Sequence, residues 1–198
     1  VQGFLKVPFQ AKSLGADLIS VSSHKIHGPK GAGALYISPR LKSFPALLLG
    51  GGQEGGFRSG TEGTPAIFGF AAACAVGQAT FREDIAREKA LLDRLVTEIS
   101  ALDGLYINGC HEAPHILSLS VPGVPTQNTI NILQDKGICV SAGSACAKGH
   151  RSHVLTAMNL SPERMDGSFR VSLCRDTTWE ELEVLLDTLK NDILPRRR

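Results

Sequence analysis

The sequence has no Cys-x-x-Cys pair, one tryptophan, two tyrosines and two methionines, and almost no surplus of either charge. Each shortage excludes something. The five cysteines, Cys74, Cys110, Cys139, Cys146 and Cys174, are odd in number and irregularly spaced. That pattern suits free thiols in a reducing compartment, so a cytoplasmic protein is expected and a disulfide framework is not. Lys and Arg number 21 against 19 Asp and Glu, a formal charge of +2, so bulk electrostatics offer no hold on nucleic acid or on a membrane surface. The one basic run, Arg196 to Arg198, reads as a solvated tail. Nothing reads as a signal peptide or a membrane span; the longest apolar stretch, over 65–76, is too short to span and is interrupted by Gly69. The chain opens at Val1 and not at methionine, in what reads as the end of an extended segment, so a piece of something longer is expected.

What is present is a globular composition. Hydrophobic residues make up 42% of 198 positions, enough to core one domain or two small ones. Pro8 and Gly15 bracket an expected short helix over 8–14. An apolar run predicts a strand over 17–22, a polar loop follows over 23–31, and a second strand over 32–38 stops at Pro39. Gly50 to Gly60 is a glycine-rich loop, the kind of backbone that presents free N–H groups. Helical spacing then runs over 65–102, with Ile85, Leu91, Leu92, Leu95, Val96 and Ile99 on one side. Beyond it, strands are predicted over 105–107, 115–121, 138–141 and 169–173, and helices over 126–136 and 151–158. Thr177 and Glu180 have capping-box spacing at the start of a final amphipathic helix carrying Leu182, Leu185, Leu186 and Leu189. Helices alternating with strands predict an α/β fold.

Two residues suggest chemistry on local grounds. Lys25 follows a hydrophobic strand directly and precedes the tight turn at Gly28-Pro29. A lysine held still and partly desolvated there has its ammonium form disfavoured, and the free amine can form a Schiff base. A plain surface lysine in a basic loop is the competing reading. Cys146 sits in a run of small and polar residues from Ser141 to Gly149. A thiol there has little apolar surface to pack against, and Lys148, His150 and His153 favour its thiolate. Cys146, His150 and His153 have workable metal-ligand spacing, but no second ligand pair lies nearby, so no metal site is expected. Cys74, Cys139 and Cys174, in apolar surroundings, are expected to be core residues. Arg170 is a charge within a strand, and a buried guanidinium needs an anionic partner. A structural salt bridge is the plainer reading of that strand; a bidentate contact to a substrate carboxylate is the functional one.

Taken together the segments resemble one family. Ser22-Ser23-His24-Lys25-Ile26-His27-Gly28-Pro29-Lys30-Gly31 resembles the Schiff-base lysine segment of the cysteine desulfurases, pyridoxal phosphate enzymes of the aminotransferase class V group. The stretch from Gly50 through Arg58, Thr61 and Glu62 resembles their glycine loop. Ser141 to Cys146, followed by Ser152 to Met158, resembles their catalytic cysteine loop, of the long-loop kind that serves iron–sulfur assembly and tRNA thiolation. Phe169-Arg170-Val171-Ser172-Leu173 resembles their substrate-carboxylate strand. The resemblance implies an α/β, fold-type I transferase: a C-terminal part of the large sheet domain over 1–64, a connecting helix or helices over 65–102, and a small α+β domain over 103–198. It implies pyridoxal 5'-phosphate anchored by Lys25, its phosphate held by Ser22 and His24, Gln2 at the ring oxygen, and Thr61 reaching the phosphate of a second subunit in a homodimer. It implies L-cysteine as substrate, its carboxylate clamped by Arg170 and its sulfur taken as a persulfide on Cys146. An acceptor such as an iron–sulfur scaffold protein then receives the sulfur. The family's aspartate to the ring nitrogen would precede Val1, so the chain is expected to be a C-terminal portion, inactive alone. A different class V enzyme (a selenocysteine lyase or an aminotransferase) and a non-catalytic fragment are the alternatives; an aminotransferase has no use for a mobile thiol.

Overall fold

In the computed structural model, which describes residues 1–142 and 152–197, the chain divides into two units, Val1–Arg82 and Glu83–Arg198. The first is built on two antiparallel strands. Strand β1, Leu18–Ser22, pairs with β2, Gly33–Ile37, in a register that sets Ser22 opposite Gly33. A Cβ on Gly33 would stand 2.6 Å from the Val21 carbonyl oxygen, so only glycine lets the strands close at that end. A single 3-10 turn, Ser23–Ile26, leaves β1. The helix expected over 8–14 is absent, and that stretch holds only turns. Seven residues are too few to offset helix nucleation without a packed face, and Phe9 and Leu14 remain exposed.

Helix α1, Thr64–Ser100, runs unbroken through Gly69 and Gly77. Its continuity changes one reading of the sequence: by length and composition alone it could cross a membrane, and 6% of its apolar 18-residue window is buried. The Val1–Arg82 unit is thinly cored overall. Ile26 and Phe70 are its buried apolar side chains, while Leu47 and Leu49 stand 89% and 88% exposed.

The second unit is closed. Strands β3, Tyr106–Ile107, β4, Ile116–Ser120, and β5, Ser168–Ser172, form an antiparallel sheet in the order β3-β4-β5. Period-two alternation puts Leu117 and Leu119 of β4 opposite Val171 and Phe169 of β5 on the inner face. Against them pack Leu92, Leu95 and Ile99 of α1, Leu133 of α2 (Thr126–Asp135), and Leu182 and Leu185 of α5 (Trp179–Thr188). Two short helices, α3 (His153–Ala157) and α4 (Pro162–Asp166), precede β5. The chain continues from α5 through a π-helical turn, Leu189–Ile193, whose Leu189 and Ile193 complete the core.

Two local predictions shift. The capping box of α5 is one residue later than expected: Thr178 Oγ1 accepts from the Glu181 N–H, and the Glu181 carboxylate accepts from the Thr178 N–H. Thr177 is used differently, its Oγ1 accepting from the Cys174 N–H. Replacing Thr178 with alanine is therefore expected to lower stability by about 1 kcal/mol in denaturant unfolding, whereas the same change at Thr177 leaves the box intact. The strand expected over 138–141 is reduced to one bridge, between Ser141 and Arg170. Ile138 and Val140 still face the core while Cys139 between them is exposed, so Cys139 is not the core residue the sequence suggested. Alternation along an extended segment, and not local hydrophobicity, sets which thiol is hidden.

Candidate active site

The end of β1 brings three of the expected residues onto one short stretch. Ser22 is extended at φ −130° and half-buried; the chain then tightens through Ser23–Ile26 and turns over at His27, which is left-handed at φ 65°. Ser23 and Ile26 face inward, with Ser23 at 0% exposure. His24 is exposed and Lys25 half-buried. The turn is tied down by backbone bonds from Ser23 N–H to the Ala32 carbonyl at 3.0 Å and from Gly28 N–H to the Ser23 carbonyl at 3.1 Å. Lys25 and His24 form no side-chain hydrogen bond or ion pair with any described residue. A lysine fixed at a strand end with nothing neutralising it is free for an aldehyde or a phosphate.

In the glycine loop, expected to present free N–H groups, several are bonded within the protein instead. Gly56, at φ 83°, donates to the Gly52 carbonyl at 3.0 Å and closes a tight turn. Gln53 Oε1 accepts from the Gly60 N–H at 3.2 Å, and Ser59 N–H donates to Leu48 O at 3.1 Å. Thr61, exposed, follows directly. Gln2 is half-buried in the turns that open the chain. The side chains of Gln2 and Thr61 make no hydrogen bond to another described residue, so nothing in the structure joins them to the Lys25 turn.

Arg170 belongs to the Glu83–Arg198 unit, and its environment corrects the sequence argument. On β5 it lies opposite Ser118 of β4, on the polar face turned away from Phe169 and Val171. It is half-buried, and its Nε donates to Ser172 Oγ at 3.1 Å. No carboxylate among the described residues pairs with it. The anionic partner demanded of a buried guanidinium is therefore absent, because the group is not deeply buried. Its remaining N–H groups are available to a carboxylate ligand. Both backbone groups of Arg170 bond to Ser141: Ser141 N–H to Arg170 O at 3.1 Å and Arg170 N–H to Ser141 O at 2.7 Å.

Cys146, with Lys148 and His150, lies outside the described residues. Of the other thiols, Cys110 and Cys139 are exposed, and Cys74 and Cys174 are half-buried. Burial pushes the Cys74 thiol up, toward the unreactive protonated form. Thr177 Oγ1 donates to Cys174 Sγ at 3.7 Å. The sequence reading missed the inner side of the Lys25 turn, where Gly28 meets Ala73 of α1 and Pro29 meets Gly69. A glycine and an alanine four apart in a helix were its only trace.

Comparison with known proteins shows the family. The sequence model of the family described as Aminotransferase class-V matches residues 1–185. A protein named cysteine desulfurase IscS from Shewanella sediminis is 38% identical over 192 residues, covering 95% of this chain and 47% of the relative. Its namesake from Pseudomonas putida is 42% identical over 184 residues, covering 90% of this chain and 45% of the relative. The structure of a NifS-like protein from Rickettsia africae superposes with a TM-score of 0.85 at 32% identity, covering 96% of this chain and 51% of that one. The chain spans about half the length of the relatives it matches.

Proposed function

Because this chain belongs to the aminotransferase class-V family, we propose that it is the C-terminal portion of a pyridoxal 5'-phosphate-dependent cysteine desulfurase that converts L-cysteine to L-alanine. The observation that carries the proposal is Lys25, seated just after β1 on a bonded turn with no partner for its amine among the described residues. Relatives in this family depend on pyridoxal 5'-phosphate, and the residues present fit that group. Lys25 supplies the amine for its aldehyde, Ser22 and His24 stand on the same turn for its phosphate, and Gln2 and Thr61 complete the assignment. The cofactor, when bound, acts as an electron sink that labilises bonds of the amino acid substrate.

The chain's own residues supply the remaining steps. Arg170 receives the substrate carboxylate on the free edge of its guanidinium. Lys25 would hold and move protons at its amine. The Cys146 thiolate would attack the substrate sulfur; an S–S bond forms on Cys146 as the Cβ–S bond breaks, its electron pair stays on the substrate Cβ, and protonation there gives alanine. Arg170 and Ser141 exchange two backbone hydrogen bonds, and Cys146 follows Ser141 by five positions in the sequence. The persulfide then passes to an acceptor thiol, such as that of an iron–sulfur scaffold. A homodimer, with Thr61 serving the neighbouring subunit, belongs to the same reading. So does a reducing, cytoplasmic setting, which the free thiols Cys74, Cys110, Cys139 and Cys174 favour. Family membership also supports reading the apolar part of α1 as a face covered by protein and not by lipid.

The direct test is product balance: the full polypeptide given L-cysteine and a thiol reductant should release alanine and sulfide in equal amounts. Pyruvate in place of alanine, or no sulfide, would sink the assignment. Arg170→Lys keeps the charge but loses the planar fork. It is expected to raise KM for cysteine about tenfold to a hundredfold with a smaller change in kcat. An unchanged KM removes Arg170 from the substrate site.

A further inference from the structure

Backbone bonds from the Ser23 and Gly28 N–H groups tie the Lys25 turn together, and a second hold lies beneath it. Gly28 is wedged there: a Cβ on it would stand 2.2 Å from Ser23 Oγ and 3.1 Å from Ala73 Cβ. Pro29 comes next, and a Cβ on Gly69 would stand 2.8 Å from its Cγ and 3.0 Å from its Cδ. Gly69 and Ala73 are four residues apart in α1, so they face the turn together. Ser23 is fully buried and its hydroxyl has no hydrogen-bond partner. The turn is therefore held against α1 at these points by packing, not by a polar link from Ser23.

We infer that Gly69 is a positioning residue for Lys25: its missing Cβ leaves a notch in α1 that seats the Pro29 ring and so sets where the lysine turn stands. The inference rests on the role proposed for Lys25. A methyl group at position 69 has no room beside a proline ring, which lacks the side-chain rotamers that would let it swing aside. The turn must move outward instead, and Lys25 moves with it. Helix propensity makes the opposite forecast, since glycine within a helix is unfavourable relative to alanine. Packing and propensity thus differ in sign at this one position.

The test uses the full polypeptide reconstituted with pyridoxal 5'-phosphate, following the lysine-dependent visible absorbance by cofactor titration and by pH. Gly69→Ala is expected to weaken cofactor binding about tenfold and to displace the pH midpoint of that absorbance. Adding Pro29→Ala removes the two ring carbons the new methyl would strike, and should restore binding to within about threefold of wild type. Wild-type affinity and midpoint in Gly69→Ala, or no recovery in the double variant, overturns the inference. Should Gly69→Ala fail to fold, Pro29→Ala alone decides: emptying the notch should shift the midpoint, and an unchanged midpoint overturns the inference. Lys25→Ala serves as the reference. If its absorbance persists, the assignment of Lys25 itself fails; if it is blank while Gly69→Ala behaves as wild type, only the clamp fails.

Discussion

Alanine at position 146 is expected to abolish sulfide release from L-cysteine in the full polypeptide, by more than about a thousandfold, while the lysine-dependent visible absorbance stays at its wild-type intensity. The expectation follows from the division of labour proposed above. In that proposal the cofactor would be held by Lys25, Ser22 and His24, so removing a sulfur elsewhere is expected to leave binding untouched. Sulfur abstraction has no substitute nucleophile of equal standing. Burial pushes the Cys74 thiol up, and Cys174 is half-buried beside the Thr177 hydroxyl. Cys110 and Cys139 are exposed, so Cys110→Ala and Cys139→Ala are the controls, each expected to retain nearly full activity. Sulfide release that survives Cys146→Ala but disappears in Cys139→Ala would transfer the role to the other thiol.

Replacing Lys25 with alanine has the second large effect: the lysine-dependent absorbance is lost and turnover falls by about a hundredfold to ten-thousandfold, the range for removing a positioned acid–base group. The reasoning is chemical as well as geometric. The amine must be nucleophilic toward an aldehyde and later carry protons, and both tasks need a group that can be neutral near pH 7. Lys25→Arg keeps the positive charge yet stays protonated, so it should fail as completely as alanine. A lysine that acted only as a surface charge would tolerate arginine. Intact absorbance and turnover in Lys25→Arg would therefore return Lys25 to the surface-lysine reading.

Much of this was legible before any coordinates. The strand ending at Ser22, the long helix over 64–100, and the strands carrying Leu117, Leu119, Phe169 and Val171 are all written as periodicity, and periodicity is a local property of the chain. The motif around Lys25 was equally local, because a strand, a tight turn and a lysine are consecutive. The failures share a cause. The helix expected over 8–14 had a start signal and a stop signal but no face to bury, and capping residues alone do not sustain so short a helix. Cys139 read as core because its neighbours are apolar, but the neighbours take the inward positions and leave it outside. Arg170 read as buried because it lies in a strand, yet the alternation that buries Phe169 and Val171 turns it to the polar face.

The sequence by itself therefore determined the fold class, most of the order of elements and the family resemblance, and it named the candidate side chains. These depend on residue type and on spacing within a few positions. Only the tertiary structure decided which of those side chains are free to act. Among the described residues no carboxylate from a distant part of the chain meets Lys25 or Arg170, and Pro29, forty residues before Gly69, packs into the space that glycine leaves. Contacts of that kind join residues far apart in the chain, and close packing enforces them at a resolution of a single methyl group, which no local pattern encodes.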